Sequence, residues 1–318
     1  MNPIELARTD FAAYLAKITE LTETVLRPNE DRLTHEGGVP EDLTGLLREH
    51  GLFAMTLPVE YGGLGLDTEQ QARVQMAVTR ASCVYRSRFS TTVGLVCQGL
   101  LQHGTDDQRN AYLPRLASGE LTGAFALTEE SAGSDAAGVA TNAKLDGNAY
   151  VINGTKRYIT NANIADVFVV MARTDEGDKS AAGMSAFIVE KGTPGMDVAT
   201  IDRKMGQDGA PTAEMTFTDC RVPVAALVGA KEGIGFKVAM AGINTARMHV
   251  ACTSVGQAER LIEEALNYAV AREQFGQPIA EFQSVQNMLA DSRAETLAAK
   301  SMILETARGI KGAPTKGQ

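Results

Sequence analysis

Hydrophobic and polar positions change their period twice along the chain. Up to about residue 120, apolar residues recur at helical spacing. Phe11, Tyr14, Leu15, Ile18, Leu21 and Val25 predict a helix over 10–25. A short helix fits 41–49, with Pro40 near its start and Gly51 just past its end. Asp67 with Gln70, and Thr105 with Gln108, show the capping-box pattern, opening helices toward Ala81 and Gly119. From Gly123 to about Leu227 the period shortens. Runs at 124–128, 150–152, 157–160, 167–172 and 184–189 read as strands. Asp146-Gly147-Asn148, Asn153-Gly154 and Thr193-Pro194-Gly195 read as turns, the first two of hairpin type. Short strands at regular spacing predict a small antiparallel barrel or sandwich.

Helical spacing then returns without proline from Phe236 to about Glu273. That is about 40 residues, or roughly 60 Å at ~1.5 Å per residue. Gly276-Gln277-Pro278 breaks it, a second long helix fits 281–308, and 309–318 reads as a frayed end. The expected fold class is α+β. An N-terminal helical domain covers 1–121, a middle β domain 122–231 and a C-terminal helical domain 232–318. A pair of helices makes a poor bundle alone, so the last unit is expected to be incomplete and its apolar faces to need another surface.

Composition narrows the class. The 318 residues exceed one typical core, and 44% hydrophobic with 22% charged residues is ordinary for a globular protein. No apolar run is long enough to span a bilayer, and Met1–Arg8, with Glu5 inside it, does not read as a secretory signal, so no membrane role and a cytoplasmic location are expected. Cys83, Cys97, Cys220 and Cys252 are scattered, as are His35, His50, His103 and His249, which argues against a metal site or a disulfide framework. The net charge of −9 and the lack of a basic stripe argue against nucleic acid.

Three segments carry candidate chemistry. In 125–135 a strand runs into a loop of small and hydroxylated residues. Thr128 and Ser134 offer hydroxyls, and Gly133 lets the backbone approach a ligand. Such a loop cradles a phosphate or a flat ring, although an ordinary surface loop has the same composition. In 153–161, Tyr158 can stack on a ring with Thr160 nearby, or can be a core aromatic of a hairpin. In 271–283, Arg272 can hold a pyrophosphate or cap a long helix. Tyr61-Gly62-Gly63-Leu64-Gly65-Leu66 lacks dinucleotide-binding spacing and reads as a turn.

Together these segments resemble the acyl-CoA dehydrogenase family. The resemblance rests on 57–66, 125–135, Tyr158-Ile159-Thr160, Lys204-Met205-Gly206, Arg221-Val222-Pro223, 235–238, and Arg272-x-x-Phe275-Gly276 followed by Phe282-Gln283. It implies an FAD-dependent oxidoreductase of fatty acid metabolism and β-oxidation, which converts acyl-CoA thioesters to 2-enoyl-CoA and passes electrons to an electron-transfer flavoprotein. It implies that Phe125, Leu127, Thr128, Gly133, Ser134, Tyr158, Ile159 and Thr160 line the flavin. Arg272, Phe275 and Gln283 would meet the pyrophosphate and adenine end of an FAD that also reaches a neighbouring subunit. Ser134, Asn244 and Arg247 would line the acyl-CoA site. The shared cofactor implies a homo-oligomer, dimer or tetramer, or a hetero-oligomer with a complete family member.

The chain departs from the pattern at its base. One family position for the catalytic glutamate is Ala246 here, and the other lies beyond Gln318. The catalytic residue is therefore unassigned, and Glu129 and Glu130 read as ordinary loop charges. A non-catalytic subunit that binds flavin and acyl-CoA is the alternative expectation, and flavin oxidase or monooxygenase chemistry on the same fold is a third.

Overall fold

The computed structural model describes residues 2–310. Eight α-helices precede the first strand: α1 Pro3–Thr9, α2 Phe11–Leu21, α3 Glu30–His35, α4 Glu41–Glu49, α5 Thr68–Val78, α6 Cys83–Ser90, α7 Cys97–His103 and α8 Asp106–Ala117. The reciprocal capping boxes form at both expected sites, Asp67 with Gln70 on α5 and Thr105 with Gln108 on α8. Between α6 and α7 the helix widens into a π-turn over Thr91–Val96. Such turns displace the backbone from regular packing and often mark functional positions.

Strands β1 Gly123–Ala126, β2 Asn142–Asp146, β3 Ala149–Thr160, β4 Val167–Arg173, β5 Met184–Glu190, β6 Met196–Ile201 and β7 Thr212–Pro223 form one seven-stranded sheet. Pairing is mostly antiparallel, but β1 runs parallel to β4, with Phe125 opposite Val169. All seven residues of β4 are buried because both of its faces meet a core. Val167, Val169 and Met171 face the large core shared with the helices, while Phe168, Val170 and Ala172 face the core inside the curled sheet.

One expected turn is absent. Asn153-Gly154 is not a hairpin but a bulge inside the continuous β3, where the register against β7 slips between Ile152 and Gly154. Gly154 has φ +150° there, and a Cβ would come within 2.4 Å of Thr141 Oγ1. The other expected hairpin forms, at Gly147, joining β2 to β3.

Two long helices close the fold: α9 Gly235–Ala271 and α10 Gln283–Gly309. At 37 residues, α9 is roughly 55 Å long. Its N-terminal half lies on the π-turn and α7, and its middle lies on α5. A third small core, with Met76, Cys252, Val255, Ile303 and Leu304, joins α5, α9 and α10. Close approach of α9 to the π-turn depends on Gly242, whose Cβ would sit 2.7 Å from the Leu95 carbonyl oxygen. Backbone cannot yield as a flexible side chain can. Gly242→Ala is therefore expected to cost about 1–3 kcal/mol by overpacking. Gly45→Ala on α4, where a Cβ meets nothing within 4 Å, is expected to stabilise by about 0.5–1 kcal/mol. Urea unfolding of the two variants checks both signs.

The frayed end expected at 309–318 lies outside the described residues apart from Gly309, the last residue of α10, and Ile310, which is buried. Among the described residues no helix is long and apolar enough to cross a membrane, no cluster of His, Cys, Asp and Glu could hold a metal, and all four cysteines are free.

Candidate active site

The loop after β1 is fixed by a buried ion pair. Lys156 Nζ lies 2.6 Å from Glu129 Oε1 and donates to the Leu127 carbonyl at 3.1 Å. The lysine side chain is fully buried and the glutamate nearly so. Glu129 also accepts from the Ala140 amide at 2.6 Å and the Thr141 amide at 3.0 Å. Burial pushes the Glu129 carboxyl up, but Lys156 and these donors outweigh it and hold the group below the usual carboxylate range. Burial draws the Lys156 ammonium down to about 8 against the pull of Glu129, so the pair is ionic at neutral pH. Glu129 is thus not an ordinary loop charge. It ties 127–129 to 140–141 and shapes the loop between them. Glu130, by contrast, is exposed beside Arg157 at 3.4 Å.

This staple sets the geometry of the expected site residues. Phe125 sits on β1 against β4, and Leu127 and Thr128 follow it. The Arg157 amide donates to the Thr128 carbonyl at 2.8 Å, so the end of β3 runs beside the loop. Tyr158, Ile159 and Thr160 come next. Tyr158 takes the left-handed conformation, φ +58°, which turns its ring out; the residue is 60% exposed, with the Arg157 guanidinium 5.7 Å from the ring centroid. Ile159 is buried beneath. Gly133 and Ser134 lie exposed in the loop, and a Cβ at Gly133 would meet nothing. The helical side is tied in as well. Gly123 N donates to Thr92 Oγ1 at 3.0 Å, and Asn161 Nδ2 donates to the Ser87 carbonyl at 2.8 Å. The mouth of the sheet, α6 and the π-turn therefore form one continuous wall.

Across the π-turn lies α9. A Cβ on Gly94 would sit 4.0 Å from Ala246 Cα and 3.5 Å from His249 Nδ1. Asn244 and Arg247, one turn apart on α9, are joined at 2.9 Å. No acidic residue occurs on α9 before Glu259.

Arg272, Phe275 and Gln283 do not join this group within the protomer. They flank the turn between α9 and α10, where Glu273–Gln274 pairs with Gln277–Pro278. Along α9, Arg272 stands roughly 37 Å from Arg247, at ~1.5 Å per residue. Arg272 and Gln283 are exposed, and Phe275 is 95% exposed with φ +55°. Its ring meets Phe282 edge-on at 6.2 Å.

Helical, β and helical parts follow one another in this order, and each matches one domain of a single three-part family. Residues 10–120 match the acyl-CoA dehydrogenase N-terminal domain, 124–220 the middle domain and 233–318 the C-terminal domain. Acryloyl-CoA reductase (NADH) of Anaerotignum propionicum is 40% identical over 306 residues, covering 95% of this chain and 77% of that protein. The structure of butyryl-CoA dehydrogenase from Megasphaera elsdenii superposes with a TM-score of 0.88 at 33% identity, covering 95% of this chain and 78% of that one. A glutaryl-CoA dehydrogenase from Mycobacterium smegmatis in complex with FADH2 superposes with a TM-score of 0.87 at 30% identity, covering 97% and 79%. The chain belongs to the acyl-CoA dehydrogenase family and is an oxidoreductase.

Two features of the site escaped sequence reasoning. The Lys156–Glu129 pair spans 27 residues, and no local pattern marks it. Arg86 on α6 and the buried His249 on α9 influence each other electrostatically only because α9 packs on α6 and the π-turn.

Proposed function

We propose that this chain binds FAD against the wall formed by the 127–134 loop and the end of β3, and oxidises acyl-CoA thioesters to 2-enoyl-CoA, with an electron-transfer flavoprotein as acceptor. The observation that carries this reading is the Arg157-to-Thr128 hydrogen bond, which sets the hydroxyl-bearing loop beside Tyr158, Ile159 and Thr160. The donor set suits a flavin: apolar Phe125, Leu127 and Ile159, hydroxyls at Thr128, Ser134 and Thr160, and an outturned aromatic ring at Tyr158. FAD, when bound, supplies the hydride acceptor. Asn244 and Arg247, joined to each other on α9, would hold the thioester.

Arg272, Phe275 and Gln283 lie too far along α9 to reach the same FAD from within one protomer. Their exposure supports contact with the cofactor of a second copy. The α9–α10 pair carries further exposed apolar residues, among them Leu261, Tyr268, Met288 and Met302, which suit a helical interface.

One observation favours a second reading. Ala246 cannot remove an α-proton, and α9 offers no other acid before Glu259. A flavin- and acyl-CoA-binding subunit fits these facts. Anaerobic titration of the yellow protein with butyryl-CoA separates the two. Bleaching of the flavin band is the expected result for a dehydrogenase, and a spectral shift without bleaching supports the binding subunit. A protein that takes up no flavin defeats both.

A further inference from the structure

A cavity of about 260 Å³ lies where the helical and β parts meet. Its walls are the turn after α3, the last turn of α6, the turn after β3 and the loop before β7. None of the described residues that line it comes from α9 or from the 127–134 loop, so it is separate from the proposed flavin and acyl sites. Two glycines leave one side open. A Cβ at Gly37 would meet nothing within 4 Å, and one at Gly38 only the Gly209 carbonyl oxygen at 3.9 Å.

Arg88 is the cation of this cavity and is only 9% exposed. Its Nη1 donates to Thr122 Oγ1 at 3.1 Å, and its guanidinium lies 5.3 Å from the centroid of the Phe53 ring. Among the described residues it makes no other hydrogen bond and no ion pair. Arg173, 4% exposed, shows how the same fold satisfies a buried guanidinium from within. It donates to the carbonyls of Ala137, Val139, Asp178 and Ser180. A guanidinium carries five N–H donors, so most of those on Arg88 are left for another partner. Charges act on it only from a distance. Arg48 repels it, while Glu41, ion-paired to Arg48, and Asp166 attract it. Asp166 already accepts from the Thr122 amide at 2.8 Å. Glu36, at the cavity rim, is exposed and paired with Arg32 at 2.8 Å. A buried cation with so few partners is costly, and an anion in the cavity would relieve that cost.

A second group on the cavity wall lacks a partner. Asn163 Oδ1 is sealed from solvent and meets no donor among the described residues. The oxygen and nitrogen of an amide exchange places by a half-turn, so Asn163 can equally present its NH2 to an anion. Asn161, 2% exposed, holds the walls together. Its Nδ2 donates to the Ser87 carbonyl on α6 at 2.8 Å and its amide to the Pro211 carbonyl at 3.0 Å. The cavity is therefore shaped before any ligand arrives. We propose that it binds the carboxylate or phosphoryl group of a small metabolite, with Arg88 as the charge partner and Asn163 as a second donor. The planar fork of arginine matches both oxyanions. The volume falls below the roughly 300–1,000 Å³ of common cofactor pockets, so the occupant is smaller than a nucleotide. Helical and β parts both wall the cavity, so the occupant joins them and stabilises the fold by mass action.

The test is calorimetric titration of the full-length chain, in excess FAD, with inorganic phosphate and with malonate. Chloride holds the ionic strength constant, and thermal melts run alongside. At least one of the two anions is expected to bind, and to raise the melting temperature by about 2 °C at roughly ten times its Kd. In Arg88→Met the affinity is expected to fall on the order of 10- to 100-fold, the range of a charge-assisted hydrogen bond to a buried partner. In Asn163→Leu, which keeps the guanidinium, it is expected to fall by about 3- to 10-fold. Preference for phosphate supports a phosphoryl ligand and preference for malonate a carboxylate. Failure of both anions to bind overturns the inference, as does binding undiminished in Arg88→Met. Should Arg88→Met not fold, Asn163→Leu decides, and unchanged affinity there overturns it. None of these readouts depends on acyl-CoA chemistry, so the proposed function stands or falls separately.

Discussion

Lys156→Met is expected to destabilise the protein by about 3–5 kcal/mol, the cost of leaving a buried carboxylate without its counter-ion. Methionine fills nearly the same volume, so the loss is electrostatic and not a cavity. Glu129 would keep the amides of Ala140 and Thr141 but lose the ammonium at 2.6 Å. For a chain of this size the melting temperature is expected to fall by roughly 5–8 °C. The double variant Glu129→Gln/Lys156→Met removes both charges and is expected to recover much of the loss. Acid should act on the same pair. The folded pKa of Glu129 is depressed, so its contribution is full above the unfolded carboxylate value and disappears as pH falls through the folded one. Thermal melts of the three proteins between neutral and acidic pH measure all of this. A single variant that melts within a degree or two of wild type would show the pair to be idle. Flavin retention should track the loss, because the same pair holds the 127–134 loop against β3.

Legibility in the sequence followed the range of the forces. Elements set by local periodicity stood out. Helix α4 has the expected bounds, α9 and α10 fall within two residues of theirs, and both capping boxes form. Residues 83–103 did not stand out, because α6, the π-turn and α7 are buried on most sides and lose the polar stripe that marks a surface helix. At Asn153-Gly154 a local turn signal was overridden by pairing with β7, and a bulge formed where a hairpin was expected. The site divides in the same way. Thr128, Ser134 and Tyr158–Thr160 were picked out by residue type and resemblance. The Glu129–Lys156 pair exists only through contact between distant segments.

The same logic makes position 246 the sharpest place to intervene. Ala246→Glu is expected to raise the single-turnover rate of flavin bleaching by acyl-CoA about 10²- to 10⁴-fold over the unmodified chain, the usual yield of a positioned general base. The packing permits it. Gly94 presents no side chain opposite, and its Cα–Cβ direction points at Ala246 and His249. Arg247 is the next residue, and His249 is neutral, so a carboxylate at 246 has a cation near it and no adjacent acid on α9. It should remain ionised at neutral pH, and the rate should rise with pH through its pKa and then level off. Ala246→Gln has the same shape without the base and is expected to bind thioester with no gain in rate. If the glutamate variant binds flavin and acyl-CoA normally yet bleaches no faster, position 246 does not face the α-carbon, and the proposed placement of the acyl chain along α9 fails. A gain confined to Ala246→Glu would place the α-carbon against the π-turn, one turn of α9 from His249.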